Sequence, residues 1–427
     1  MENIFINPGK EQWAELTKRP AFDYAALEAI VQPVLKDVKE NGDEAVKKYA
    51  AKFDQVQLQD LFVTAAEMEE AIGMVKEELK LAIQLAENNI RLFHESQKDA
   101  VQKITTTNGV VCWRKSVAIQ NVGLYIPGGT APLFSTILML GIPAQIAGCS
   151  NIVMCTPSNA AGKVNPVILY TAQLLGIKNI FKVGGVQAIA SMAYGTQTIP
   201  AVSKIFGPGN QYVTAAKQLV NREGIAIDMP AGPSELAVFA DNSSIAAFVA
   251  ADMLSQAEHG TDSQVLLVAT STQIIKEVKS QIDIQLKELP RKEIAAAALK
   301  HSRFIVFENE KIAFYFLNDY APEHLIIASE NALELSEQVI NAGSVFLGNY
   351  SPETAGDYAS GTNHTLPTNG YAKAYSGVSV DSFVKKITFQ QLSESGIQNI
   401  GPSIELMAAA EGLQAHKNAV TLRIKKS

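Results

Sequence analysis

Val117-Ala118-Ile119-Gln120-Asn121-Val122-Gly123-Leu124-Tyr125-Ile126 is a mostly apolar run that stops at Pro127 and Gly128 and gives way to a stretch of helical periodicity. Asn151 to Thr156, Lys178 to Gly184, Lys204 to Gly207 and Gly224 to Met229 repeat the pattern. Short apolar runs alternating with helices predict βαβ units and a parallel sheet. Beyond the turn Pro230-Ala231-Gly232-Pro233 a second series begins, with runs at Glu235 to Ala240, Gln264 to Ala269, Arg303 to Phe307, His324 to Ala328 and Ser344 to Leu347. Two successive sets predict two α/β lobes with a cleft between them. No literal repeat at a fixed period joins the two sets.

Upstream, residues from about Asp23 to Asp99 read as helices, with Ala25, Leu27, Ile30, Val31 and Val34 at helical spacing. Downstream of about Gly377 comes a polar strand or loop, Phe383 to Phe389, and an Ala-rich helix from Ser403 towards His416. That tail is too small for a core of its own and must dock on the body or on another subunit.

The chain has 427 residues, 47% hydrophobic and 19% charged. At about 150 residues per domain it holds two or three packed units. A net charge of -7 without a long Lys/Arg run gives no field for a phosphate backbone, so nucleic acid is not an expected partner. Cys112, Cys149 and Cys155 are an odd number without CxxC spacing, which predicts no disulfide framework and a reducing cytoplasm. The first twenty residues carry no apolar signal-like core. Ser116 to Gly162 lacks charge, yet Pro127, Pro132 and Pro143 cut it into pieces shorter than the roughly 20 residues that span a bilayer. No membrane partner is expected.

Four of the six histidines sit in polar words. In Ser255-Gln256-Ala257-Glu258-His259-Gly260, Gln256 and His259 are three apart near the end of a predicted helix, Ser244 to Glu258, so both can face one ion. The same residues also suit a solvated helix end, with His at the negative pole and Gly260 as cap. In Pro322-Glu323-His324-Leu325 a loop before the strand lets an adjacent carboxylate and imidazole face one pocket as a proton-transfer pair, or it is an ordinary acidic loop. Asp357, ahead of Ser360-Gly361-Thr362-Asn363-His364, is a possible hard metal ligand or a turn-capping residue. The glycine words Tyr125-Ile126-Pro127-Gly128-Gly129, Val183-Gly184-Gly185-Val186-Gln187 and Phe206-Gly207-Pro208-Gly209-Asn210 each end a predicted strand, where backbone NH groups can approach a phosphate. None completes GxGxxG, and tight βα turns explain them equally well.

Together these words resemble the histidinol dehydrogenase family. The matching segments are Tyr125 to Gly129, Phe206 to Asn210, Asp228 to Glu235, Ser255 to Ser263, Ala321 to Leu325, Ala355 to Pro367 and Glu411 to Arg423. The resemblance implies an α/β fold of two incomplete Rossmann-like lobes with parallel sheets, aldehyde-dehydrogenase-like, with a helical N-terminal segment and a small C-terminal tail. Its implied division is an N-terminal segment 1–24, a first lobe from 25–124 and 236–376, a second lobe 125–235 and a dimerisation tail 377–427. It implies a homodimer with a shared site that oxidises L-histidinol through the aldehyde to L-histidine, with one zinc ion per subunit and two NAD. The implied zinc ligands are Gln256, His259, Asp357 and His416, and the implied proton-transfer pair is Glu323 and His324. Substrate contacts would fall on Ser234, Gln256, His259, His324, Asp357, His364, Glu411 and His416, and NAD contacts on Tyr125, Gln187 and Asn210.

Two other readings compete. A cysteine-dependent aldehyde dehydrogenase would use Cys112 or Cys155, although both lie in apolar surroundings without a neighbouring base. A two-lobed protein can also close on a metabolite without chemistry. One tension is internal: Glu323 and His324 precede their strand, whereas parallel sheets bind ligands beyond strand carboxyl ends. A locally antiparallel edge strand, or a contribution from another lobe, would remove it.

Overall fold

The computed structural model describes residues 4–20, 24–128, 132–230 and 232–425. Gly129 and Ala231, quoted above, lie outside them. The chain begins with strand β1 (Ile4–Ile6) and helix α1 (Lys10–Leu16), followed by α2 (Tyr24–Asn41), α3 (Asp43–Tyr49), α4 (Ala65–Met74) and α5 (Glu77–Glu95). A hairpin of β2 (Lys103–Thr107) and β3 (Val110–Ala118) leads into β4 (Asn121–Tyr125).

From β4 the expected alternation holds: α6 (Ser135–Ala147), β5 (Asn151–Cys155), α7 (Pro166–Leu174), β6 (Asn179–Phe181), α8 (Gly185–Tyr194), β7 (Lys204–Phe206), α9 (Gln211–Arg222) and β8 (Ala226–Ile227). These strands form a five-stranded parallel sheet in the order β6-β5-β4-β7-β8. Such a sheet must be covered on both faces. Leu27, Val31 and Val34 of α2 share a buried cluster with Ile189 of α8 and Val213 of α9, and Ile83 and Ile90 of α5 share another with Val122 and Leu124.

This corrects the division read from the chain. Residues 24–95 belong with the 121–227 sheet, not with 236–376, because their apolar faces complete the cover that the crossover helices of that sheet leave open. The first segment goes the other way. Strand β1 pairs with β11 (Arg303–Val306), and Trp13 and Leu16 of α1 bury against Phe239, Phe307 and Phe316.

The second lobe in chain order is β9 (Glu235–Ala240), α10 (Ala246–Ala257), β10 (Gln264–Ala269), α11 (Thr272–Gln285), α12 (Lys292–Leu299), β11, α13 (Glu310–Tyr320), β12 (His324–Ala328), α14 (Ala332–Ser336), β13 (Ser344–Leu347) and α15 (Glu353–Tyr358). Its six-stranded parallel sheet has the order β1-β11-β10-β9-β12-β13. Every residue of β9, β10 and β12 is buried, as expected of strands covered on both faces.

The tail adds β14 (Val384–Leu392), which pairs antiparallel with β3, then α16 (Glu394–Ala410) and α17 (Gln414–Ile424). Helices α16 and α17 pack on each other, and α16 touches β2 and β14. Phe383 stacks on Phe206 with centroids 4.0 Å apart and anchors the start of this appendage. Among the described residues no helix is long and apolar enough to cross a membrane.

Candidate active site

The tension over Glu323 and His324 is settled by the second of its two solutions. Strand β12 is no antiparallel edge; it lies between β9 and β13, parallel to both, with His324 opposite Leu236 and Ser344. The pair therefore stands at the amino edge of the six-stranded sheet. Crossover helices run back against their strands, so the carboxyl end of α10 brings Gln256 and His259 to that same edge. The five-stranded sheet supplies the opposite wall from its carboxyl edge. Tyr125, Gln187 and Asn210 follow β4, β6 and β7 there, and they line with Glu258, His259 and Tyr358 a cleft of about 860 Å3.

At this edge one residue holds both Glu323 and His324. The backbone N–H of Glu235 donates to Glu323 Oε2 at 3.0 Å, and the Glu235 carbonyl lies 3.3 Å from His324 Nδ1. A carbonyl only accepts, so Nδ1 carries the proton and Nε2 keeps its lone pair. His324 Nε2 is buried with no hydrogen-bond partner and sits 4.0 Å from Asp357 Oδ1. Asp357 and Glu353 are one turn apart on α15, a short helix where the sequence reading had a loop. Glu353 Oε1 reaches within 3.3 Å of His324 Nδ1, and its other oxygen is an unpartnered buried atom. His324, Glu353 and Asp357 offer ligand atoms all within 4.8 Å of one another.

Gln256 is fully buried, and neither its amide oxygen nor its nitrogen has a partner. Leaving both atoms unsatisfied costs free energy, so something outside the chain must use them. His259 is solvent-accessible in the cleft wall. His364 is engaged on both ring nitrogens, Nδ1 with the Asp357 carbonyl at 3.0 Å and Nε2 with Thr136 Oγ1 at 3.2 Å. Ser234 is half-buried just ahead of β9.

The electrostatics of this edge call for a cation. Burial pushes the Asp357 carboxyl up to about 7. Burial raises Glu323 well above the carboxylate range, and the Glu235 and Asp357 charges add to the effect. Glu353 is raised the same way, by burial and then by Asp357, Glu323 and Asp252. Burial takes His324 down to about 3 and His364 to about 4, so both rings are neutral. Acidic groups crowded beside neutral imidazoles lack a positive partner, and a bound cation would bring the carboxyl groups back down while keeping the imidazoles neutral. Amide oxygen, imidazole and carboxylate together suit a borderline ion such as zinc.

Across the cleft the nucleotide candidates have partners of their own. Asn210 caps α9, its side-chain oxygen accepting from Tyr212 N and Val213 N at 3.1 Å each. Tyr125 Oη accepts from Gly185 N, and burial lifts its hydroxyl to about 12, so it remains a donor. Gln187 Nε2 donates to Asp54, leaving Oε1 without a partner. Gly207 adopts φ +127, and a Cβ there would strike the Tyr125 carbonyl. The turn is stapled from behind by Lys217, which meets Asp228 Oδ1 at 2.5 Å and the Gly207 carbonyl at 2.9 Å, with both side chains buried. Lys217→Met strands the Asp228 charge and is expected to cost about 3–5 kcal/mol. A urea unfolding midpoint equal to that of the parent chain would contradict this.

Two sequence candidates are not brought to this edge. Glu411 and His416 are exposed on the tail and are not among the residues lining the cleft. Conversely, sequence reading missed Glu353, Asp252 and Glu235. Glu353 with Asp357, and Asp252 with Gln256, are spaced i, i+4, a signal visible once α15 and α10 are known to be helices. Cysteine chemistry finds no support. Cys155 is fully buried with its thiol pushed well up, and Cys149 is raised to about 11. Cys112 lies in β3 and is not among the residues that line the cleft.

The sequence model of the histidinol dehydrogenase family matches residues 17–424. The chain is 60% identical to a histidinol dehydrogenase of Bacteroides thetaiotaomicron over 99% of each chain. It is 49% identical to the histidinol dehydrogenase of Escherichia coli K12, over 97% of this chain and 95% of the relative. The crystal structure of histidinol dehydrogenase from Elizabethkingia anophelis superposes with a TM-score of 0.97 at 57% identity, covering 99% of this chain and 98% of that one. An acetylating aldehyde dehydrogenase from Geobacillus thermoglucosidasius shares the fold, with a TM-score of 0.50 at 15% identity over 89% of this chain and 94% of that one.

Proposed function

This chain belongs to the histidinol dehydrogenase family, NAD-dependent oxidoreductases of the last step of histidine biosynthesis, and from that premise we propose how its own residues carry out the oxidation. The reading rests above all on the unpartnered buried atoms of Gln256, His324 and Glu353. Gln256, His259 and Asp357 would hold a zinc ion, with His416 as a further ligand from the partner subunit of a homodimer. Bound there, zinc would orient the amino alcohol through its nitrogen atoms and supply local positive charge. NAD would lie against Tyr125, Gln187 and Asn210 and accept a hydride from the carbinol carbon in each of the two oxidations.

His324 presents a neutral Nε2 lone pair and takes the proton of the substrate hydroxyl as the hydride leaves. Glu323 takes a proton from the water that adds to the aldehyde, and His324 returns its proton to the former carbonyl oxygen, giving a gem-diol and a neutral imidazole. That diol is an alcohol again, so His324 serves the second oxidation as it served the first. Ser234, His364 and Glu411 complete the substrate contacts, His364 through a ring fixed by Thr136 and the Asp357 carbonyl. All three cysteines are free, which supports a reducing cytoplasm.

The primary test follows NADH by absorbance with L-histidinol. Two NADH per histidinol are expected, and no NADH would overturn the reading. A second test separates the pair. Glu323→Gln should slow aldehyde oxidation more than alcohol oxidation, whereas His324→Ala should slow both, by about 100- to 10,000-fold. Equal losses in both halves for Glu323→Gln would end this division of labour.

A further inference from the structure

We infer that Arg19, in the N-terminal segment, is a positioning residue for the Glu323–His324 pair, acting through Glu235; this rests on the proton-transfer roles proposed above. Glu235 grips both members of that pair with its main chain, so the placement of one residue fixes the relative geometry of two reacting side chains. The ladder to Gln264 holds the Glu235 main chain on one side, and Arg19 fixes its side chain. The guanidinium makes a two-pronged contact with the carboxylate, Nη2 to Oε1 at 2.9 Å and Nε to Oε2. The two side chains are 12% and 2% exposed.

The same guanidinium also controls the entry to β12. Arg19 Nη2 donates to the Tyr320 carbonyl at 2.6 Å and approaches that of Ala321 at 3.4 Å, and Cζ stacks 3.9 Å above the Tyr320 ring. Ala321 has φ +52 and ψ 66, a left-handed conformation strained for a residue with a Cβ, and doubly so before proline. Two and three residues later come Glu323 and His324. Arg19 thus ties together the ends of the two adjacent strands from which the pair and its main-chain holder arise. Tyr320 Oη, hydrogen-bonded to Gln264 at 2.8 Å, closes the network on the far side. A planar fork serves a carboxylate and a carbonyl at once; an ammonium on a flexible stem cannot.

The test compares Arg19→Met and Arg19→Lys with the parent chain, at a temperature where circular dichroism shows each to be folded. Arg19→Met should lower kcat by about 100-fold, the effect of a displacement near 1 Å on reacting groups, with KM for histidinol and NAD within about twofold. Arg19→Lys keeps a charge against Glu235 and should stay well folded, yet lose about tenfold in kcat. Should Arg19→Met fail to fold, Arg19→Lys alone decides. A kcat within twofold of the parent in the folded variants, or a rise confined to KM, overturns the positioning role. Glu323→Gln run in parallel separates the two levels: if it retains full turnover, the proposed roles fall and this inference with them.

Discussion

Stripped of divalent metal by a chelator, the protein is expected to lose histidinol-dependent NADH formation down to background while keeping its fold. The loss follows from the place of the candidate ligands. Gln256 is buried with both amide atoms unused, and Glu353 and Asp357 crowd against a neutral His324. If that edge holds a cation, as proposed, its removal leaves the carboxylates unneutralised and the substrate unoriented. The survival of the fold follows from the place of the cores. The four buried clusters lie on the faces of the two parallel sheets, built from aliphatic and aromatic side chains, and none of them includes Gln256, Glu353 or Asp357. A modest fall in melting temperature is expected, since a ligand that binds only the folded chain stabilises it by mass action. Activity, elemental analysis and far-ultraviolet circular dichroism on the same sample make the measurement. Full turnover in protein shown to be metal-free would refute the expectation, and collapse of the fold would refute the independence of the cores.

Much of this architecture was legible because buried parallel strands are written as continuous apolar runs, and the runs from Val122 to Ile227 and from Glu235 to Leu347 mark the two sheets. What the runs do not carry is which helix covers which sheet. The apolar stripe of α2 would suit either lobe, and only the packing against α8 and α9 decides it. The hairpin of β2 and β3 escaped for another reason. All five residues of β2 are exposed, so Lys103-Ile104-Thr105-Thr106-Thr107 has no alternation to betray it. At the site, the residues of the words around Gln256, Glu323 and Asp357 meet at one edge of the six-stranded sheet, while Glu235 was invisible because it contacts them through its backbone, which no side-chain pattern encodes. Arg19 was invisible because its partner lies 216 positions away.

The tail is where one chain by itself is least satisfied, and the second large effect is expected there: His416→Ala and Glu323→Ala should each be inactive alone, yet active when mixed. His416 and Glu411 are exposed, and so are the apolar side chains Leu406, Met407, Leu413 and Leu422 around them, with Ile104 and Phe389 on the neighbouring strands. A surface of that kind on a small appendage is suited to a two-fold contact in which each tail lies on the other body. The tail would then carry its His416 to the Gln256, His259 and Asp357 of its partner. If the two variants are unfolded together and refolded, random pairing makes half of the dimers mixed. In a mixed dimer the Glu323→Ala body meets the His416→Ala tail, so one site carries both lesions and the other carries none. One sound site in half of the dimers amounts to about a quarter of the parent activity. If His416 served its own subunit, every site would keep one lesion and mixing would recover nothing. Native mass spectrometry that counts the mixed dimers, read beside the NADH assay, therefore decides the matter: mixed dimers with no activity would place His416 in its own subunit and leave the tail a self-docking element.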